Sequence, residues 1–149
     1  MPPFRILALD HVVLRISDLT RSLAFYVDGL GCKLEKRQDK IGLIQLRAGS
    51  SLIDLVPLGG KLGRAGGAAP GPEGRNVDHF ALDISPFNER AVRAHLRKCG
   101  IQAGESGRRY GANGFGPSIY VSDPDGNVVE LKGPAEQRRR AAPRARSRL

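Results

Sequence analysis

Apolar and polar positions alternate from Ala8 to Ser17, with Val12, Leu14 and Ile16 on one side and His11, Val13 and Arg15 on the other. Period two of this kind predicts a half-buried strand. Asp18 then offers an N-cap, and Leu19, Leu23, Tyr26 and Leu30 follow at helical spacing until Gly29 and Gly31 stop the run. Three further strands are predicted, at Leu34–Gln38, Ile41–Arg47 and Ser51–Pro57, parted by Asp39-Lys40 and Gly49-Ser50. The stretch Gly59 to Asn76 is rich in Gly, Ala and Pro and has no period, which reads as a linker or mobile loop. Its Gly59-Gly60-Lys61-Leu62-Gly63 lacks the spacing of a phosphate loop.

After this linker the pattern restarts. Val77-Asp78-His79-Phe80-Ala81-Leu82 mirrors Leu9-Asp10-His11-Val12-Val13-Leu14, and a second helix is predicted from Pro86 to Cys99, with Val92, Leu96 and Cys99 on its apolar stripe and Gly100 as its stop. A short strand at 101–103 and a Gly-rich loop from Gly107 to Pro117 come next. The loop reads as an insertion and as a segment that moves over the site. From Gly116 to Lys132 two apolar runs flank Asp123-Pro124-Asp125-Gly126, a hairpin signal. Ser51–Val56 and Asn127–Lys132 also match as last strands, so the chain reads as a twofold β-α-β-β-β repeat in one α+β domain.

The formal charge of +9 raises the question of a nucleic-acid partner, and its distribution answers it. Six arginines and no acid fall between Arg138 and Leu149, and without them the chain carries +3. Residues 135–149 have no apolar period with which to fold and read as a basic disordered tail. Absent Trp and few aromatics also argue against a base-stacking surface. No early segment is apolar enough for a secretory signal or membrane span, and Cys32 and Cys99 read as buried thiols of a cytosolic protein.

The repeat carries the candidate chemistry. In each half the first strand holds a histidine and the last a carboxylate: His11 with Asp54, His79 with Glu130. A single strand histidine is more often a hydrogen-bonded residue than a ligand. Two at equivalent positions, each answered by an acid, predict a shared site if the first and last strands line a common trough. Nitrogen and oxygen donors without thiolate suit Mn, Fe, Co, Ni or Zn. Asp54 is shorter than Glu, and an edge-strand charge explains it almost as well. Ser118 and Tyr120 share a strand face beside this group.

Asp10-His11-Val12-Val13-Leu14, Phe25-Tyr26, Leu30-Gly31, Asp78-His79-Phe80-Ala81-Leu82 and Tyr120-Val121-Ser122-Asp123-Pro124-Asp125-Gly126-Asn127-Val128-Val129-Glu130-Leu131 together resemble the vicinal oxygen chelate superfamily of glyoxalases, fosfomycin- and bleomycin-resistance proteins and extradiol dioxygenases. Within that group, Arg109-Tyr110-Gly111-Ala112-Asn113-Gly114 followed by Ser118-Ile119-Tyr120 is most similar to small glyoxalase-domain proteins. The likeness covers residues 6–134, with modules at about 6–58 and 77–134 joined by the linker 59–76. It implies paired modules curving as a half-barrel-like mixed sheet around a divalent metal. It also implies a small-molecule substrate, a homodimer, and metal ligands at His11, His79 and Glu130, with Asp54 where four-ligand members place an acid. Glu130, Asp54 and Tyr120 become candidate catalytic groups, and Arg109, Ser118 and Tyr120 candidate substrate contacts. The activity implied is that of a glyoxalase-like lyase or isomerase. Thiol transfer of the fosfomycin-resistance type, extradiol ring cleavage and a non-catalytic metal- or ligand-binding module are the alternatives. Ring cleavage calls for further acid–base histidines, and only His95, on the second helix, remains. Binding of the bleomycin type without metal fits poorly with the intact ligand pattern.

Overall fold

The computed structural model describes residues 1–136 of the chain. Its first half runs β1 (His11–Ile16), α1 (Leu19–Leu23), β2 (Lys33–Gln38), β3 (Leu43–Ala48) and β4 (Ser51–Pro57). Asp18 caps α1 as expected, its side chain accepting from the Arg21 amide at 2.9 Å. The α-helix is shorter than its apolar spacing predicts, because Ala24–Gly29 widens into a π-helical turn in which the Leu30 amide donates to the Phe25 carbonyl. Gly31, at φ 79°, then turns the chain into β2.

The second half runs β5 (His79–Asp83), α3 (Glu89–Lys98), β6 (Ala103–Gly111), β7 (Gly114–Ser122) and β8 (Val128–Lys132). The linker is not wholly irregular, since Lys61–Ala65 forms a short α2 between the halves. Helix α3 begins later than the expected Pro86, because the Asn88 side chain caps it by accepting from the Ala91 amide. Cys99 sits at the end of α3 and is exposed; only Cys32 is the buried thiol expected.

The expected Gly-rich loop at 107–117 is a correction. It is the middle of a long hairpin whose two strands have nine residues each, against six in the matching β2 and β3. Length was therefore added to the second half where the repeat spacing predicts, but as paired strand rather than as a loop over the site. The glycines answer to crowding: a Cβ on Gly116 would lie 2.5 Å from the Pro134 carbonyl oxygen.

Each half makes one four-stranded mixed sheet, in the orders β1-β4-β3-β2 and β5-β8-β7-β6. First and last strands pair in parallel in both, with Val13 opposite Asp54 and Ala81 opposite Glu130. The two sheets are not closed into a barrel, and β1 and β5 each end a sheet with one strand neighbour.

Strand alternation divides each sheet into two faces. Leu14, Ile16, Ile44, Leu46, Ile53 and Leu55 of the first sheet join Ile119, Val121, Val129 and Leu131 of the second, together with Phe25, Tyr26 and Leu96, in one core. Burying each such side chain is worth about 1.5–3 kcal/mol. The other faces carry the polar groups. The expected basic tail lies, beyond Glu136, outside the described residues.

Candidate functional site

His79, Ala81 and Asp83 share one face of β5, and the pairing places Val128, Glu130 and Lys132 of β8 and then Ser118 and Tyr120 of β7 on that same face. Glu130 is 7% exposed although charged, and its Oε1 is buried with no hydrogen-bond partner among the described residues. Its Oε2 stands 3.7 Å from His79 Nε2. That is too long for a hydrogen bond. With ligand bonds near 2.1 Å, two donors on one tetrahedral ion stand about 3.4 Å apart, so this spacing suits a shared ion. The far side of the ring is fixed: His79 Nδ1 donates to Asp78 Oδ2 at 2.6 Å, which leaves Nε2 to face Glu130.

The first sheet repeats the arrangement with differences. His11 Nδ1 donates to Asp10 Oδ1 at 2.6 Å. The His11 pKa is raised, chiefly by that bond; desolvation takes back part of the rise, and the Asp54 carboxylate adds a lesser push upward. Asp54 is 4% exposed, and the Gln45 amide donates to both of its oxygens, at 3.3 and 3.1 Å. Gln45 stands opposite Asp54 in the register, the place Tyr120 takes opposite Glu130. Asp54 is thus oriented by a neutral donor, whereas Glu130 Oε1 has no partner among the described residues and Oε2 has only the longer His79 contact.

The four expected ligands therefore fall into two pairs, one on each sheet. Among the described residues no group of three or more His, Cys, Asp and Glu side chains is gathered closely enough to hold a metal ion. The sequence leaves open whether the halves pair within one chain or between two; within this chain each sheet brings together its own His and acid, and the sheets do not close on one another. The donor chemistry itself fits a divalent ion, with an orphaned buried carboxylate oxygen and imidazoles whose other nitrogen is anchored.

The expected substrate contacts do assemble. Arg109 Nη1 donates to Ser118 Oγ at 2.8 Å, and its guanidinium lies over the Tyr120 ring, 4.4 Å from the centroid. The Tyr120 ring meets His79 edge-on at 5.7 Å. Arg109, Ser118, Tyr120, His79 and Glu130 thus form one continuous face. His95 lies apart from it, on α3, with Nε2 donating to the Gly29 carbonyl at 2.7 Å, and serves helix packing.

Asp10, Asp78 and Gln45 were not assigned from the sequence. The Asp-His dipeptide occurs in both halves, and that recurrence is a signal that each Asp holds its neighbour's ring. Gln45 had no such mark, because its role depends on a cross-strand register.

Comparisons with known proteins place the fold among relatives. The virulence protein STM3117 of Salmonella typhimurium is 31% identical over 129 residues, covering 83% of this chain and 81% of that protein. The lactoylglutathione lyase of the same organism is 33% identical over 129 residues, covering 83% and 90%. The crystal structure of STM3117 superposes with a TM-score of 0.71 at 25% identity, covering 89% of this chain and all of that one. An integron cassette protein from the mobile metagenome of V. cholerae follows at 0.65 and 29%, covering 87% and 97%. Residues 8–131, which span both His-acid pairs and the hairpin between them, match one family along their whole length, and the chain belongs to the Glyoxalase/Bleomycin resistance protein/Dioxygenase superfamily.

Proposed function

We propose that this chain is a divalent-metal-dependent enzyme of the glyoxalase type, a lyase or isomerase acting on a small oxygenated substrate, whose metal site is completed between two copies. His11 and Asp54 of one copy and His79 and Glu130 of the other would supply the ligands. The observation that carries the reading is the Glu130 carboxylate, whose Oε1 is buried without a partner among the described residues and whose Oε2 stands 3.7 Å from His79 Nε2. A second copy is called for because each sheet holds half a ligand set. Apolar surface also stands uncovered around the β1 edge: Val13 is 47% exposed, and Leu9, Leu7 and Ile6 just before the strand are more so.

Bound there, the ion would act as a Lewis acid toward adjacent substrate oxygens. Glu130 is the better-placed base for a proton next to a carbonyl, because one of its oxygens is free, while Gln45 occupies both oxygens of Asp54. Asp10 and Asp78 keep the two imidazoles in the tautomer that presents Nε2. Tyr120, packed between His79 and Arg109, walls the face. A lactoylglutathione lyase among the relatives supports this choice of reaction class. Thiol transfer is the second reading, favoured by the Arg109–Ser118 pair as a seat for a charged substrate.

The test is metal content. Glu130→Ala and His79→Ala chains should each lose the ion; unchanged stoichiometry in both would sink the site. Mixed dimers of His11→Ala with His79→Ala chains should recover one intact centre per dimer, since both lesions then fall in the same site. A site within one chain would recover nothing. Metal-loaded protein is then assayed against hemithioacetals and against epoxides with thiols.

A further inference from the structure

The second sheet carries a buried cation that its fold does not require. Lys132 follows Glu130 on the same face of β8, so their Cα atoms stand on the order of 7 Å apart. It is 5% exposed, and the partner its ammonium finds among the described residues is the Gly114 carbonyl at 3.2 Å. A buried ammonium without a carboxylate is costly. Asp83, its register partner, is turned to other use, accepting from the Asn113 amide at 3.4 Å. The surface is shaped around the lysine: a Cβ on Gly116 would lie 3.0 Å from its Nζ, and one on Gly111 would lie 3.1 Å from its Cε.

Arg109 comes from the opposite side of the same floor. Its Cα stands across from Gly116, and its head reaches Ser118, which is the register partner of Lys132. Its carboxylate contact among the described residues, Glu105 at 3.5 Å, has a side chain 81% exposed and weakens in water. The repeat supplies an internal control. Two residues past Asp54, the first sheet places Val56, and two residues before Gln45 it places Leu43, at the positions where the second has Lys132 and Ser118. The fold accommodates an apolar pair there, so the cations answer to something else.

We infer that Lys132, Arg109 and Ser118 form an anion subsite beside Glu130, and that the substrate carries a carboxylate or phosphate group set off from its metal-facing oxygens. The inference rests on the reading of the Glu130 face as the active site. Two donors of the ammonium and the remaining edge of the guanidinium would be filled by the anion.

Inorganic phosphate and acetate are titrated by calorimetry into the full chain, with and without metal. Wild-type protein should bind one anion per chain in both states. Lys132→Met, which keeps the stem, and Arg109→Gln should each weaken binding about tenfold, while Arg90→Gln on α3 leaves it unchanged. Tighter phosphate points to a phosphorylated substrate, tighter acetate to a carboxylic acid. Absence of binding, or equal binding by wild type and both variants, overturns the subsite. Metal content is measured on the same samples: Lys132→Met and Arg109→Gln should keep the ion that Glu130→Ala loses. Failure of the metal reading therefore shows separately from failure of the anion subsite.

Discussion

A carboxylate oxygen buried without a partner costs about 1–3 kcal/mol, and Glu130 Oε1 is such an atom. The nearby imidazole does not relieve it: His79 Nε2 stands 3.7 Å from the other oxygen, Oε2, too far for a hydrogen bond. In metal-free protein, Glu130→Gln should therefore leave stability unchanged or raise it by about 1 kcal/mol while metal binding is lost. Chemical denaturation measures the first and metal analysis the second. A stability loss beyond about 2 kcal/mol would mark the carboxylate as structural. The residue itself was legible in the sequence because the repeat pairs it with Asp54. What the repeat could not show was the inequality of the two acids. One is bonded on both oxygens by Gln45 and the other is open, and only the cross-strand register reveals this.

At the scale of elements, β1 starts three residues later than its alternation from Ala8 predicts, whereas β4 was legible to both ends. The β6–β7 hairpin was not, because its glycines stand where strands crowd a neighbour, and sequence alone does not separate such a glycine from one in a loop. The outer hairpin β2–β3 offers a pH test. Arg47 of β3 bonds Glu35 of β2 through Nη2 at 2.9 Å and Nε at 3.2 Å. That hydrogen bonding, with the guanidinium charge, lowers the Glu35 pKa below its ordinary 4.5. A lowered acid pKa contributes stability that is present above the unfolded value and is lost as pH falls through the folded one. Wild type should exceed Glu35→Gln in stability at neutral pH, with the gap closing below about pH 4.5. Urea titrations across that range read it, and a gap independent of pH would refute it.

For the whole molecule, the repeat made the two modules legible, but not how they are joined. Tyr26 on the π-helical turn donates to Asp123 Oδ2 at 2.7 Å, and Asp123 also accepts from the backbone amides of Asp125 and Asn127 and from the Asn127 side chain. Asn76 bridges Asn127 to the Arg15 backbone, and Asp125 accepts from the Ser17 amide. Burial and the Asp123 carboxylate push the Tyr26 phenol far above its ordinary range, so it stays a donor. Asp123→Ala strands these donors in the joint and should cost about 3 kcal/mol, read as a lower denaturant midpoint. An unchanged midpoint would show that the core alone holds the halves. The same joint bears on the order of folding. Residues 97 and 108 positions apart meet there, whereas the hairpins within each half close between near neighbours in the chain. Loop-closure entropy then favours hairpins first and the seam between modules last. Kinetically the Asp123 seam should lie on the native side of the transition state, so Asp123→Ala speeds unfolding and leaves the folding rate almost untouched.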